Sequence, residues 1–292
     1  MRALLVLLAI ALALGGCDGL RPSTFTSGWN DPAPQGAPLE EPESESGPEP
    51  EPESEPTGTR PLAQRAFDDW RLHHDQVSPC PREMVLIRDF CIDRWEGSLV
   101  EITEQGERPF PPTHRPESKL VRAVSKPGVI PQGYISGAEA QRACEMAGKR
   151  LCYDNEWFAA CAGPKTTIYP YGTVHKEGAC NEERKLHPVV ELFGGETSPD
   201  IWMVEPMNDP AINEQPDTVA PTGSRPKCVG STGLFDMVGN LHEWANDPAG
   251  SFHGGAYSTN NKIGCQYITT AHGMGYHDYS TGFRCCSEPW RP

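Results

Sequence analysis

The chain is short of basic residues: 25 Lys and Arg face 40 Asp and Glu across 292 residues, a formal charge of −15. A nucleic-acid partner needs a basic stripe or face, so none is expected. No Cys-x-x-Cys pair occurs among the 11 cysteines, which removes the thioredoxin-like and zinc-ribbon readings. Gly-x-Ser-x-Gly, phosphate-loop and His-Glu-x-x-His motifs are also missing, so no familiar hydrolase, nucleotide or zinc-protease chemistry has a sequence basis. His242, His253, His272 and His277 are 11, 19 and 5 residues apart, unlike the His-x₃-His spacing of a helical ligand pair. They read as surface or pocket histidines rather than a redox-metal site. After the N-terminus, no apolar run is long enough to span a bilayer.

The N-terminus holds the one long apolar run. Arg2 precedes residues 3–14, all apolar, and then Gly15-Gly16-Cys17. The run is too short for a transmembrane helix and suits a signal-peptide core. Leu14-Gly15-Gly16-Cys17 looks like a bacterial lipobox, which predicts removal of residues 1–16 and lipidation of Cys17; the plainer alternative is a signal peptide with an incidental cysteine. Several acyl chains on Cys17 would anchor the protein to a membrane of the bacterial cell envelope. Asp18 does not decide which leaflet. Residues 17–79 read as a Pro/Glu/Ser-rich disordered tether, because such a composition cannot bury enough apolar surface to offset its ordering entropy. Alternating Pro with like charge, as in Glu49-Pro50-Glu51-Pro52, extends it into a spacer, although cation or partner binding by the acidic run is the functional alternative.

Residues 80–292 are long enough for one substantial core and hold ten cysteines, an even number that reads as a disulfide framework in an exported chain. Cys285 and Cys286 are adjacent and each needs a distant partner. Residues 83–87 and 90–95 are β-like runs. Ser136-Gly137-Ala138-Glu139 is a capping box, followed by Ala140, Ala143, Cys144 and Ala147 at helical spacing and by Gly148 at the C′ position. Residues 154–161 read as a second short helix containing Trp157, a core candidate. Residues 101–133 and 163–232 read as loop. Asp236 and Glu243 flank Gly239-Asn240; either they are oxygen ligands on a tight loop that suits Ca²⁺, or the pair is a turn between two solvated acids.

Five stretches together resemble a known family. They are Gly233-Leu234-Phe235-Asp236-Met237-Val238-Gly239-Asn240-Leu241-His242-Glu243-Trp244, Gly148-Lys149-Arg150-Leu151-Cys152-Tyr153-Asp154-Asn155-Glu156-Trp157, Tyr169-Pro170-Tyr171-Gly172, Gly254-Gly255-Ala256-Tyr257 and Gly282-Phe283-Arg284. Taken in chain order they resemble the signatures of the formylglycine-generating enzyme (sulfatase-modifying factor) family. The resemblance implies an α+β, C-type lectin-like variant fold that is disulfide-rich and sparse in regular structure. It implies Cys144–Cys285 and Cys161–Cys265, with Cys80–Cys91, Cys180–Cys228 and Cys152–Cys286 as one completion. It carries a Ca²⁺ site onto Asp236, Gly239, Leu241 and Glu243, and a substrate groove onto the run with Tyr257, His272, Tyr276, His277 and Tyr279.

Active members of that family oxidise a substrate cysteine with O₂ and a Cu(I) held by two cysteine thiolates, the soft ligands Cu(I) selects. Laid over residues 254–264, their two cysteines fall on Thr259 and Gly264. A one-residue slip offers Cys265 as a fallback for the second; nothing supplies the first. Copper is therefore not expected. The leading expectation is a catalytically degenerate, lipid-anchored module that binds an envelope peptide, protein or glycan. The alternative is a copper-dependent oxidase, a sulfatase-maturation factor acting on cysteine of exported proteins.

Overall fold

A computed structural model describes residues 79–290. The expected lipid anchor at Cys17 and most of the expected tether lie outside them. Among the described residues no helix is long and apolar enough to cross a membrane.

The first β-like run becomes a hairpin of β1 (Met84–Ile87) and β2 (Phe90–Asp93). Its turn places Arg88 at φ 55°. β2 is buried throughout, because the last strand, β11 (Cys285–Ser287), covers its open edge. β6 (Arg150–Leu151) completes this sheet, in the order β1-β2-β11-β6. A second sheet, β4-β3-β5, comes largely from residues expected to be loop: β3 is Gly97–Thr103, β4 Gly106–Pro109 and β5 Val121–Ser125. Its inner positions Leu99, Val121 and Ala123 are buried, while β4 is exposed along its length and held by Arg108–Glu101 and Arg122–Glu107 ion pairs. Proline and charge obscured the alternation that marks a half-buried strand.

Helix α1 (Gly137–Met146) starts at the capping box: the Glu139 amide donates to Ser136 Oγ, and the Ser136 amide donates to Glu139 Oε2. It ends as a Schellman turn, with Gly148 at φ 70°, its amide on the Glu145 carbonyl and the Lys149 amide on the Cys144 carbonyl. Ala140, Ala143 and Cys144 are fully buried, and these small side chains let α1 lie close to β5 and β6. Helix α2 (Asp154–Ala162) buries Trp157 and carries Asp154 and Glu156 in its first turn, where carboxylates meet the positive end of the helix.

The stretch 163–232 is less irregular than its composition suggests. It contains α3 (Pro188–Leu192), a 3₁₀ turn (Pro199–Trp202), α4 (Val204–Met207) and α5 (Ala211–Glu214). These pack Val189, Ile201 and Ile212 against Tyr134, Tyr257 and Tyr279 as a small core of their own. Each piece is too short to show a helical period.

The third sheet has the order β10-β7-β8-β9, with β7 His242–Trp244, β8 Phe252–His253, β9 Ile268–Thr269 and β10 Thr281–Phe283. β10 runs parallel to β7 and only Arg284 separates it from β11, so the chain leaves one sheet and enters another across a single residue. All ten described cysteines are paired, as Cys80–Cys91, Cys144–Cys285, Cys152–Cys286, Cys161–Cys265 and Cys180–Cys228. These are the five pairs named above. Two of them tie β11 to α1 and to the β6–α2 link, so short strands are cross-linked where ladders are brief.

Candidate functional site

The segment 233–244 folds as a tight turn feeding β7. Asp236, Gly239 and Asn240 take φ of 57°, 78° and 60°. A Cβ on Gly239 would lie 2.3 Å from the Asn181 carbonyl oxygen, so only glycine fits there. Asn240 is buried with its amide fully used. Its Oδ1 accepts from Asn181 Nδ2 and the Ala220 amide, both at 2.8 Å, while its Nδ2 donates to Glu96 Oε2 at 2.6 Å and to the Ala220 carbonyl at 3.1 Å. Glu96 also accepts the Leu241 amide. No sequence signal marked Glu96, which sits 144 residues from Asn240.

The expected calcium ligands are drawn to a different cation. Glu243 Oε2 and Oε1 each accept from Arg284, through Nε and Nη2, at 2.6 Å, and Oε2 also accepts from Trp157 Nε1 at 2.6 Å. Arg284 is fully buried and donates further to the carbonyls of Asp93 and Phe235. Asp236 accepts the Gly223 amide at 2.6 Å. Burial pushes its carboxyl up to about 6, against the pull of that amide and of Arg284. Burial, then the charges of Asp236 and Glu243, hold Glu96 well above the usual carboxylate range. Glu243 is thus bonded to a guanidinium, whose charge Asp236 also feels. With Glu243 held by Arg284 and Trp157, Ca²⁺ at Asp236, Gly239, Leu241 and Glu243 would require Glu243 to leave Arg284. The described residues contain no group of three or more His, Cys, Asp or Glu side chains placed to hold a metal.

The positions where copper thiolates would sit are equally engaged. Thr259 Oγ1 accepts the Ala256 amide at 2.9 Å. Gly264 has φ +56°, and a Cβ there would lie 2.1 Å from the Ile168 carbonyl oxygen. Backbone closes that position to any side chain. The fallback Cys265 is not a thiol: it is buried and bonded to Cys161.

The expected groove residues separate into two groups. Tyr257 is fully buried, donates its hydroxyl to Asn213 Oδ1 at 2.7 Å, and meets Tyr279 edge-on at 6.1 Å between ring centroids. Tyr279 is buried as well, 3.1 Å from His187 Nε2. Both belong to the small core of α3 to α5, so their assignment to a ligand surface is corrected; their rings are needed to close that core. His272, Tyr276 and His277 are half-buried. His272 stacks on Tyr276 at 3.7 Å and on Phe252 at 6.0 Å, and His277 Nδ1 lies 2.7 Å from Asn208 Oδ1. Next to Phe252, the His242 ring is buried with its Nδ1 unpartnered, and burial drives its pKa down to about 3. Stacked rings dominate here. His253 stacks on Trp157 at 4.8 Å and its Nε2 meets Asp154 Oδ1 at 2.6 Å, which fixes β8 to α2.

A model of the sulfatase-modifying factor enzyme 1-like domain matches residues 56–289. The inactive C-alpha-formylglycine-generating enzyme 2 of Bos taurus is 28% identical over 179 residues, 56% of this chain and 52% of that protein. Its Mus musculus counterpart is 25% identical over 179 residues, 56% of this chain and 51% of that protein. The chain thus spans about half the length of the curated relatives it matches. Among solved structures, CarF superposes with a TM-score of 0.42 at 16% identity, covering 69% of this chain and 87% of CarF. PvdO from Pseudomonas aeruginosa superposes at 0.41 with 12% identity, covering 68% of this chain and 80% of PvdO. Superpositions this loose carry no argument about function.

Proposed function

Since the chain belongs to the sulfatase-modifying factor enzyme 1-like family, we propose that it is a member without oxidase chemistry, an exported and lipid-anchored module of the bacterial cell envelope that binds an envelope peptide, protein or glycan. The observation that carries this reading is the lack of a thiol at both copper positions. Thr259 is a poor Cu(I) ligand and is already hydrogen-bonded, Gly264 has no room for a side chain, and Cys265 is a cystine half. The naming of two relatives as inactive enzymes agrees with it. Five disulfides favour an oxidising compartment, and the lipobox-like Leu14-Gly15-Gly16-Cys17 supports a lipid anchor at Cys17. Short sheets cross-linked around long, irregular connections favour the C-type lectin-like description of the fold.

A thiol count tests the central claim. The purified full chain is alkylated under denaturing, non-reducing conditions and weighed intact, with peptide mapping to set Cys17 aside. No adduct is expected on the other ten cysteines. Adducts on Cys265 and a second cysteine, with stoichiometric Cu(I) uptake, would restore the oxidase reading. Lipidation is tested by detergent-phase partitioning, which the Cys17→Ser variant should lose.

A further inference from the structure

An open cleft of about 580 Å³ lies beside the Tyr169-Pro170-Tyr171-Gly172 turn, away from the residues discussed above. Lys165, Lys176 and Lys227 line it, and among the described residues no Asp or Glu does. This is unusual in so acidic a chain. Another basic cleft, of about 560 Å³, is neutralised, since its Arg108 and Lys119 pair with Glu101, which also lines it, and its Arg115 pairs with Glu139. The three lysines of the first cleft have no such partner among the described residues. Glu182 and Glu183, whose charges reach Tyr171, are engaged by His175 and Lys262. Three exposed lysines lining one cleft with no acidic residue in its wall favour an anion there.

The walls narrow the ligand class. The Tyr171 ring is half-buried, stacks on Tyr169 at 5.4 Å between centroids, and has Lys176 Nζ 5.5 Å from its own centroid. Ser231 adds an exposed hydroxyl, and the adjoining Thr232 Oγ1 is buried without a hydrogen-bond partner. The backbone around the cleft bonds on itself, at the Tyr169–Gly172 and Val229–Phe235 bridges. An extended peptide would therefore find no open strand edge on these two segments to extend. Point charges beside an aromatic ring and an exposed hydroxyl suit a sugar that carries oxyanions. We propose that this cleft binds an anionic saccharide, one bearing sulfate, phosphate or carboxylate groups. The site gives the binding role proposed above a location, yet it rests on other residues, so its failure would leave the thiol count unaffected.

The test uses the full chain and a fluorescein-labelled dextran sulfate oligosaccharide, with neutral dextran, inorganic sulfate and a phosphoserine peptide as comparison ligands. The sulfated sugar should bind and neutral dextran should not; free sulfate should compete only weakly. Replacing all three lysines (K165Q, K176Q and K227Q together) should weaken binding about tenfold and lower the slope of log Kd against log salt by about one per lysine. The matching triple Lys→Arg variant should retain binding, and Lys185→Gln, elsewhere on the surface, should leave it unchanged. Unaltered melting of the triple Gln variant shows that the fold survives. The proposal is overturned if the sulfated sugar does not bind, if neutral dextran binds equally, if Lys185→Gln costs as much as the triple change, or if the phosphoserine peptide binds more tightly than the sugar.

Discussion

Arg284→Met should be the most damaging single change in the described residues. Arg284 is fully buried, doubly bonded to Glu243, and supplies the cation for Glu96 and Asp236 as well. Methionine fills much of the volume and brings no charge. Stranding a buried ion-pair partner costs about 3–5 kcal/mol. The carbonyls of Asp93 and Phe235 lose donors, at about 1 kcal/mol or more each. Together this is about 5–7 kcal/mol, comparable with the whole stability of many domains, about 5–15 kcal/mol. For a domain of this size each kcal/mol moves Tm by about 2–4 °C, so a drop of about 10–28 °C is expected. The assay is calorimetry with disulfides intact, at pH 8 and pH 5. Arg284 opposes the upward displacement of Glu96 and Asp236, so its loss raises both further. A carboxyl raised in the folded state gives stability that is present at low pH and lost as pH rises, so the damage should be smaller at pH 5. Adding Glu243→Gln should recover part of the loss, since it removes one stranded charge and keeps an acceptor for Trp157. A Tm drop under about 4 °C at pH 8, or no recovery in the double variant, would refute the account of Arg284 as the shared internal cation.

Asp236→Asn should change the pH dependence of stability. With the Asp236 carboxyl raised to about 6 from 3.8, the parent loses stability as pH climbs from about 4 through 6, and the variant should lack that component. His242 acts in the opposite sense, its pKa lowered to about 3, so the effect is read as variant minus parent in urea titrations from pH 4 to 7.5. A flat difference would contradict the placement of Asp236. Gly264→Cys, the substitution that would restore one copper position, should cost at least about 2 kcal/mol in urea unfolding, from the left-handed φ and the 2.1 Å overlap with the Ile168 carbonyl; Thr259→Cys should be tolerated. Ca²⁺ in place of chelator should leave Tm within about 1 °C, because a ligand bound only to the native state must raise it. A clear rise would show that Glu243 can leave Arg284 for the ion.

Much of the frame was legible beforehand. Ser136 and Glu139 announced α1, Gly148 its end, and the ten cysteines their role as a framework. The β4-β3-β5 sheet was not, because residues 101–133 carry proline and charge on its exposed side. The helices between residues 188 and 214 escaped for another reason: each is about one turn, shorter than the window a helical period needs. In the site, the Gly239-Asn240 pair was read correctly as a tight turn between Asp236 and Glu243, with Glu243 falling on the strand that follows it. What faces them was misjudged. Glu96 and Arg284 reach the turn from 144 and 41 residues away, and no local pattern records such meetings.

The sequence by itself determined that the chain lacks the first copper cysteine, because a threonine at position 259 is a fact of composition that no packing can alter. It likewise determined the excess of acid and a tight turn at Gly239-Asn240. Only the tertiary structure decided that Gly264 has no room for a side chain, that Tyr257 and Tyr279 serve the core, that Glu243 answers to Arg284, and that three lysines share one cleft. Each of these depends on a distance between segments far apart in the chain, and such distances are set by packing.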